Sequence, residues 1–339
     1  MTGAARDAAG FLRAAGWQDA VSRPLAGDAS ARSYRRLTLG TQRAVLMDAP
    51  PAAGQDTRRF VRVADWLLAQ GYSAPRLLQA DHDAGFLLLE DLGDGLFARL
   101  LDAEPGREAD LYPAATEFLV DLHRHPAATF LATLDGPTLG AMTDLVLLWY
   151  LPGCGEGDSA EAGMIAGLIA RAHARLCHAG PVTCLRDFHA ENLVWLADRP
   201  MPGRVGLLDF QDAVAADPAY DLVSLLQDAR REVPAVTEAR EITRYCAAKG
   251  LDQTRFSAVY ALIGAQRNLR ILGVFARLAM QSGKPRYLDF MPRVWGYLER
   301  DLAHPNLAEL ARAVRDTIPE PTPARVQRIL DRCGQSPTP

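Results

Sequence analysis

Asp187, Asn192 and Asp209 are the side chains whose types and spacing point to chemistry. In LRDFHAENLVWL, Leu185 to Leu196, Asn192 follows Asp187 by five residues; in VGLLDFQDA, Asp209 ends an apolar run that begins at Val205. Moving a phosphoryl group onto a hydroxyl asks for such a set. A carboxylate must accept the hydroxyl proton, and hard oxygen ligands must hold Mg²⁺ between the β- and γ-phosphates of ATP. The loop length lets Asp187 face the acceptor while Asn192 turns back toward the ion, and Asp209 supplies a carboxylate to the same ion. Singly, each residue is better read as a loop cap or a strand-end turn. Their joint spacing, with apolar runs on both sides, favours the chemistry.

The elements that must position these groups follow from periodicity. Residues 20–92 read as strands with one helix inserted. Arg32 to Leu39 and Arg43 to Ala49 flank Gly40-Thr41-Gln42 as a hairpin, Phe60, Ala64, Leu67 and Leu68 recur at helical spacing until Gly71, and a strand follows at Gly85 to Leu89. From Leu96 onward the pattern is helical, except for Pro181 to Ala215, where two short apolar runs enclose a polar loop. The prolines at 319–323 and 337–339 predict a frayed tail. The expected division is a nucleotide-binding lobe at 1–90, a catalytic and acceptor-binding lobe at 91–318 and a Pro-rich tail at 319–339. This is the outline of an α+β, protein-kinase-like bilobal fold with a small β-rich N-lobe and a larger, mostly helical C-lobe.

Composition narrows the partners. The chain has 339 residues, 49% hydrophobic and 23% charged, with a net charge of −4, which gives no bulk attraction to nucleic acid or to an anionic membrane. Residues 1–20 read as a polar-capped amphipathic helix, neither signal peptide nor anchor, and no stretch approaches the roughly 18 apolar residues of a membrane span. Five scattered cysteines fit reduced thiols in the cytoplasm. A small-molecule acceptor is expected, with no nucleic-acid, membrane or obligate protein partner.

DPAYDL, Asp217 to Leu222, resembles the signature of aminoglycoside and sugar phosphotransferases rather than that of protein kinases. The resemblance implies that Asp221 braces the catalytic loop; by itself, Asp221 before LVSLLQDA reads as a helix N-cap. GDASARSYRRL (27–37), VLMDAPP (45–51), FLLLEDLGDGLF (86–97), SLLQDAR (224–230) and AQRNLRILGVFARL (265–278) are similar to the bacterial anomeric kinases of cell-wall recycling. Those enzymes phosphorylate N-acetylmuramate and N-acetylglucosamine at the anomeric hydroxyl. The resemblance implies ATP and Mg²⁺ as cofactors and Asp187 as catalytic base, with Asn192 and Asp209 on the metal. It implies nucleotide contacts from Gly27, Asp28, Ala29, Ser30, Arg32, Arg36, Glu90 and Leu92. For the acceptor it implies Asp228, Arg230 and Arg267.

Departures from a standard kinase matter. Ala29 and Arg32 stand at the second and third positions of the glycine-rich loop, although small residues still permit a backbone cradle for phosphates. Met47 ends the third strand where a lysine is expected, and the chain has no lysine before Lys249. The next helix also lacks the partner glutamate. Arg32, Tyr34 and Arg36 alternate along one strand and share a face; Tyr34 overlies the adenine position, so Arg36, with Arg32 second, is the expected phosphate clamp. Leu185 packs, and Arg186 either neutralises phosphate or pairs with an acid.

Other patterns are weaker. Gly153, Gly155 and Gly157 imitate a dinucleotide fingerprint that Asp158 breaks. His123, His125, His173 and His178 lack the spacing of a ligand set, whereas His189 lies inside the catalytic loop, suited to a positioning hydrogen bond. Trp149 and Tyr150 read as core, or, if exposed, as a platform for a sugar ring. Three functions compete: sugar kinase, aminoglycoside phosphotransferase and a nucleotide-binding pseudokinase with a regulatory role. From Leu225 to Arg300 there are thirteen basic and seven acidic residues, a surplus that suits a neutral or anionic acceptor and disfavours a polycation.

Overall fold

The computed structural model of the chain describes residues 6–25, 32–157 and 162–335. Two compact units emerge, one formed by Met1–Phe118 with Ala190–Ala213, the other by Leu119–His189 with Val214–Pro339. The strands-first, helices-after order of the sequence is observed.

The first unit is built on a five-stranded antiparallel sheet. Its strands are β1 (Val21–Pro24), β2 (Ser33–Leu39), β3 (Gln42–Asp48), β4 (Leu77–Asp81) and β5 (Phe86–Glu90), in the order β1-β2-β3-β5-β4. Gly40 takes φ 58° in the β2–β3 connection, a conformation that favours a residue without Cβ. The edge strand β4 did not stand out in the sequence because it is mostly solvated and lacks clean alternation. Leu37, Ala44, Leu46, Phe86 and Leu88 form one apolar cluster with Phe11 of helix α1 (Ala8–Ala14), whose ring stacks on Phe86 at 5.6 Å. Helix α2 (Thr57–Ala69) is capped by Asp56 and buries Phe60, Val63, Ala64 and Leu67, one face at helical spacing. Helices α3 (Phe97–Ala103) and α4 (Glu108–Leu122) follow, and Leu193–Trp195 pairs with Val205–Leu207 as a short hairpin.

The second unit is helical: α5 (Gly136–Ala141), α6 (Leu151–Cys154), α7 (Ile165–Leu176), α8 (Ala219–Leu226), α9 (Ala235–Lys249), α10 (Gln253–Met280), α11 (Met291–Leu302), α12 (Ala308–Thr317) and α13 (Pro323–Leu330). The 28-residue α10 is buried along most of its length. It comes close to Leu145 only because position 273 is glycine; a Cβ there would run into the Leu145 backbone. A short ladder, Val182–Cys184 against Val214–Ala216, precedes the Leu185–Asp187 segment.

The tail differs from expectation. Pro323 occupies the first turn of α13 behind Thr322, where a missing N–H costs nothing. Ile329 is fully buried, and Arg328 donates to the Cys154 carbonyl at 2.8 Å. Residues 337–339 lie outside the described set. No described helix is long and apolar enough to cross a membrane.

Candidate active site

Each unit holds its own set of the residues singled out above. In the first, register does the positioning. Leu193 pairs with Leu207, and the Leu208 N–H donates to the Asn192 carbonyl at 2.9 Å, so Asn192 and Asp209 share one end of the hairpin. Asp209 has φ 53°; with Arg186 at φ 73° it is one of two non-glycine residues at positive φ among those described. Such a conformation costs on the order of 1–3 kcal/mol and persists where neighbours over-determine it. Here Phe210 is buried against Phe60 of α2, ring centroids 4.9 Å apart, which anchors the turn directly after Asp209. The Asp209 carboxylate remains 40% exposed, accepts from Gln211 Nε2 at 3.0 Å and pairs with Arg32 Nη1 at 3.2 Å.

The β2 face behaves unevenly. Tyr34 stands beside Arg32 and Asp209, and burial pushes its pKa up to about 12. Arg36 is committed to acids: Nε meets Asp91 at 2.7 Å, Nη1 meets Asp94 at 2.5 Å, and Nη2 donates to the Gly93 carbonyl at 3.2 Å. Met47 is buried opposite Tyr34 in the β2–β3 register. Glu90 accepts from Arg199 at 2.8 Å, and Leu92 packs against Gly206. Gly27, Asp28, Ala29 and Ser30 lie outside the described residues.

In the second unit the loop carrying Asp187 is held by Asp221. The fully buried Asp221 carboxylate accepts from Leu185 N at 2.5 Å and Arg186 N at 2.8 Å. Burial raises its pKa to about 7, and the two N–H donors pull the other way. Asp221 is not an N-cap, because α8 starts at Ala219 with Pro218 in the cap position; Asp217, one residue earlier, accepts from Ala219 N at 2.9 Å. The Ser224 hydroxyl donates to the Arg186 carbonyl at 3.1 Å, so both backbone groups of the positive-φ residue before Asp187 are secured.

Around this loop, Arg267 donates to Ser224 Oγ at 2.7 Å and lies over the Tyr220 ring at 5.1 Å. His189 Nε2 is 3.2 Å from Arg230 Nη1, and Asp228 Oδ1 accepts from the Arg230 backbone at 2.9 Å. Asp228 follows Gln227, which a buried network fixes: Gln227 Nε2 donates to Asp301 at 2.9 Å, Asn268 donates to Gln227 Oε1 at 2.8 Å, and Tyr260 donates to Glu238 at 2.8 Å. The sequence offered no sign of this network, whose members lie up to 74 positions apart.

Trp149 and Tyr150 are 4% and 0% exposed on a π-helical turn, and the Tyr150 hydroxyl donates to the Pro319 carbonyl at 2.7 Å. His123 is buried against the Tyr245 hydroxyl at 2.8 Å, and burial lowers its pKa to about 3. Its ligand atom lies within 4.8 Å of those of Cys184 and Asp221, but the Asp221 oxygens already serve the loop. Gly153 packs against Ile329, and Gly155 ends α6 at φ 79°; both serve packing and turn geometry.

The sequence pattern of the phosphotransferase enzyme family matches residues 21–257. The chain belongs to that family. It is 43% identical to the N-acetylmuramate/N-acetylglucosamine kinase of Caulobacter vibrioides, over 89% of this chain and 93% of the relative. It is 35% identical to the kinase of the same name from Pseudomonas aeruginosa, over 85% and 86%. Among solved structures it resembles a choline/ethanolamine kinase family protein from Mesorhizobium loti, TM-score 0.55 and 18% identity, over 87% of this chain and 92% of that one. An aminoglycoside phosphotransferase from Streptomyces rimosus gives TM-score 0.52 and 19% identity, over 77% and 94%. The structural likenesses establish the kinase-like fold, and the family membership makes the chain a phosphotransferase.

Proposed function

We propose that this enzyme transfers the terminal phosphate of ATP to the anomeric hydroxyl of N-acetylmuramate and N-acetylglucosamine in the cytoplasm, as a step of peptidoglycan recycling. The observation that carries the mechanism is the Asp221 clamp on Leu185 and Arg186, which fixes the backbone immediately before Asp187. Asp187 accepts the proton of the sugar hydroxyl. Asn192 and Asp209 offer two hard oxygens at one hairpin end, a donor set that suits Mg²⁺, which binds through one or two carboxylates plus phosphate oxygens. That ion would neutralise charge on the transferring phosphate. Arg32 is better placed than Arg36 to take the part of the missing lysine, because Arg36 is tied to Asp91 and Asp94.

The acceptor class is supported by the relatives' names and by charge. Of the acidic residues counted above, Glu238 meets Arg300 at 2.5 Å, and Glu241 meets Arg240 and Arg244 at 2.9 and 3.0 Å. These pairs tie up two of the seven acids with three of the thirteen basic residues, so the stretch keeps a surplus of positive charge, of which Arg270 acts on Asp187. An ADP-release assay of the purified protein against N-acetylmuramate, N-acetylglucosamine, choline and kanamycin tests this assignment. Turnover of the amino sugars alone is expected. Turnover of kanamycin without the sugars would make it an antibiotic-modifying enzyme, and ATP binding without any turnover would favour a regulatory pseudokinase.

A further inference from the structure

Close to Asp187 the second unit gathers more positive charge than its own hydrogen bonds use. Arg267 and Arg270 are three residues apart on α10 and share a face. Arg267 is accounted for by Ser224 and the Tyr220 ring. Arg270 is different. It is partly buried, yet its guanidinium makes no hydrogen bond or ion pair with the described residues. The groups acting on it are Tyr220, Arg186, Asp187 and Arg267. Burial draws its pKa below the ordinary arginine value, and Arg186 and Arg267 push the same way. The Tyr220 hydroxyl is buried and has no hydrogen-bond partner among the described residues. Three arginines, Arg186, Arg267 and Arg270, thus face the single carboxylate of Asp187, and a partly buried surplus of positive charge is unfavourable unless a second anion joins it in the working state.

Two anions come to a sugar kinase, the transferring phosphate and any acidic group on the acceptor. Arg186, next to Asp187 in the loop, is suited to the first. Arg270 projects from α10, the helix that also carries Arg267 and Asn268, and its planar fork matches a carboxylate. We propose that Arg270, with the Tyr220 hydroxyl beside it, binds the carboxylate of an acidic amino-sugar acceptor and sets the preference for that acceptor over its neutral counterpart. This rests on the amino-sugar reading above. N-acetylmuramate carries such a carboxylate on its lactyl ether; N-acetylglucosamine does not, and the two otherwise share their ring.

The test compares kcat/KM for the two sugars in wild type, Arg270→Met and Arg270→Lys. Arg270→Met should lower kcat/KM for N-acetylmuramate by about 10- to 100-fold, the effect of one charge-assisted contact, mainly through KM. N-acetylglucosamine should lose about tenfold less, any effect through Asp187 being common to both sugars, and Arg270→Lys should recover part of the difference. The N-acetylmuramate methyl ester offers a check that needs no variant: on the wild-type enzyme it should fall to the level of the neutral sugar. Equal losses for both sugars, or an ester as good as the acid, would overturn the assignment while leaving the amino-sugar kinase intact. A wild-type enzyme inactive on both sugars would overturn the parent reading and this one with it.

Discussion

In the first unit, arginines near the candidate metal and nucleotide ligands are matched with carboxylates: Arg32 with Asp209, Arg36 with Asp91 and Asp94, Arg199 with Glu90. In the second, Arg267 is held by a hydroxyl and a ring face, and Arg270 makes no ion pair or hydrogen bond among the described residues, with Asp187 the one carboxylate acting on it. Paired cations must change partners when a triphosphate and its ion arrive, so part of the binding energy offsets the pairs that are lost. A cation without an ion-pair partner exchanges only its remaining hydration for the incoming anion. The difference teaches which set of arginines must exchange an ion-pair partner for a ligand and which need not.

The sharpest way to break this comparison is at the base. Asp187→Asn should lower turnover by about 10²- to 10⁴-fold, the range for removing a general base, while nucleotide affinity measured by calorimetry stays close to wild type. A loss of affinity as large as the loss of turnover would move Asp187 to the nucleotide side. Next comes Asp209→Ala. It should lower turnover on the order of 10³-fold and remove the tightening of ATP by Mg²⁺, because a metal at the transferring phosphate supplies several kcal/mol. Unchanged Mg·ATP affinity would displace the ion from this hairpin end.

A smaller effect separates the two β2 arginines. Arg32→Ala should weaken ATP about tenfold, the value of one charge-assisted contact. Arg36→Ala should chiefly lower the melting temperature, since it leaves Asp91 and Asp94 without their partner. The reverse pattern in isothermal titration would restore Arg36 as the phosphate clamp.

The motifs of the candidate site were legible because their logic is local. Asp187, Asn192, Asp209 and Asp221 sit within short motifs flanked by apolar runs, and the two positive-φ residues, Arg186 and Asp209, fall inside those motifs. Tertiary pairing was not legible. Arg36 looked free to clamp phosphate until Asp91 and Asp94, more than fifty positions on, took it. Arg270 was one of thirteen basic residues between Leu225 and Arg300, and only packing separates it from Arg267 on the same helix. Proline content hid α13, because Pro323 starts a helix as readily as it ends one.

The smallest expected effect is a trend with pH. Burial raises the Asp221 pKa from 3.8 to about 7, so folding favours its protonated form. That contribution is fully present below the ordinary carboxyl value and is lost as pH rises through about 7. Across this window the wild type should lose stability relative to Asp221→Asn in paired urea titrations. A wild type that gains on the variant as pH rises would mean that the two N–H donors outweigh burial.

The central claim is that the loop braced by Asp221 directs phosphate to the anomeric hydroxyl of an amino sugar. Locating the phosphate in the product by ³¹P–¹H NMR, after incubation with Mg·ATP and N-acetylmuramate, tests it most directly. The account predicts phosphorus coupled to the C1 proton and a product that acid hydrolyses back to the free sugar. Phosphorus coupled to the C6 protons, in an acid-stable product, would contradict it.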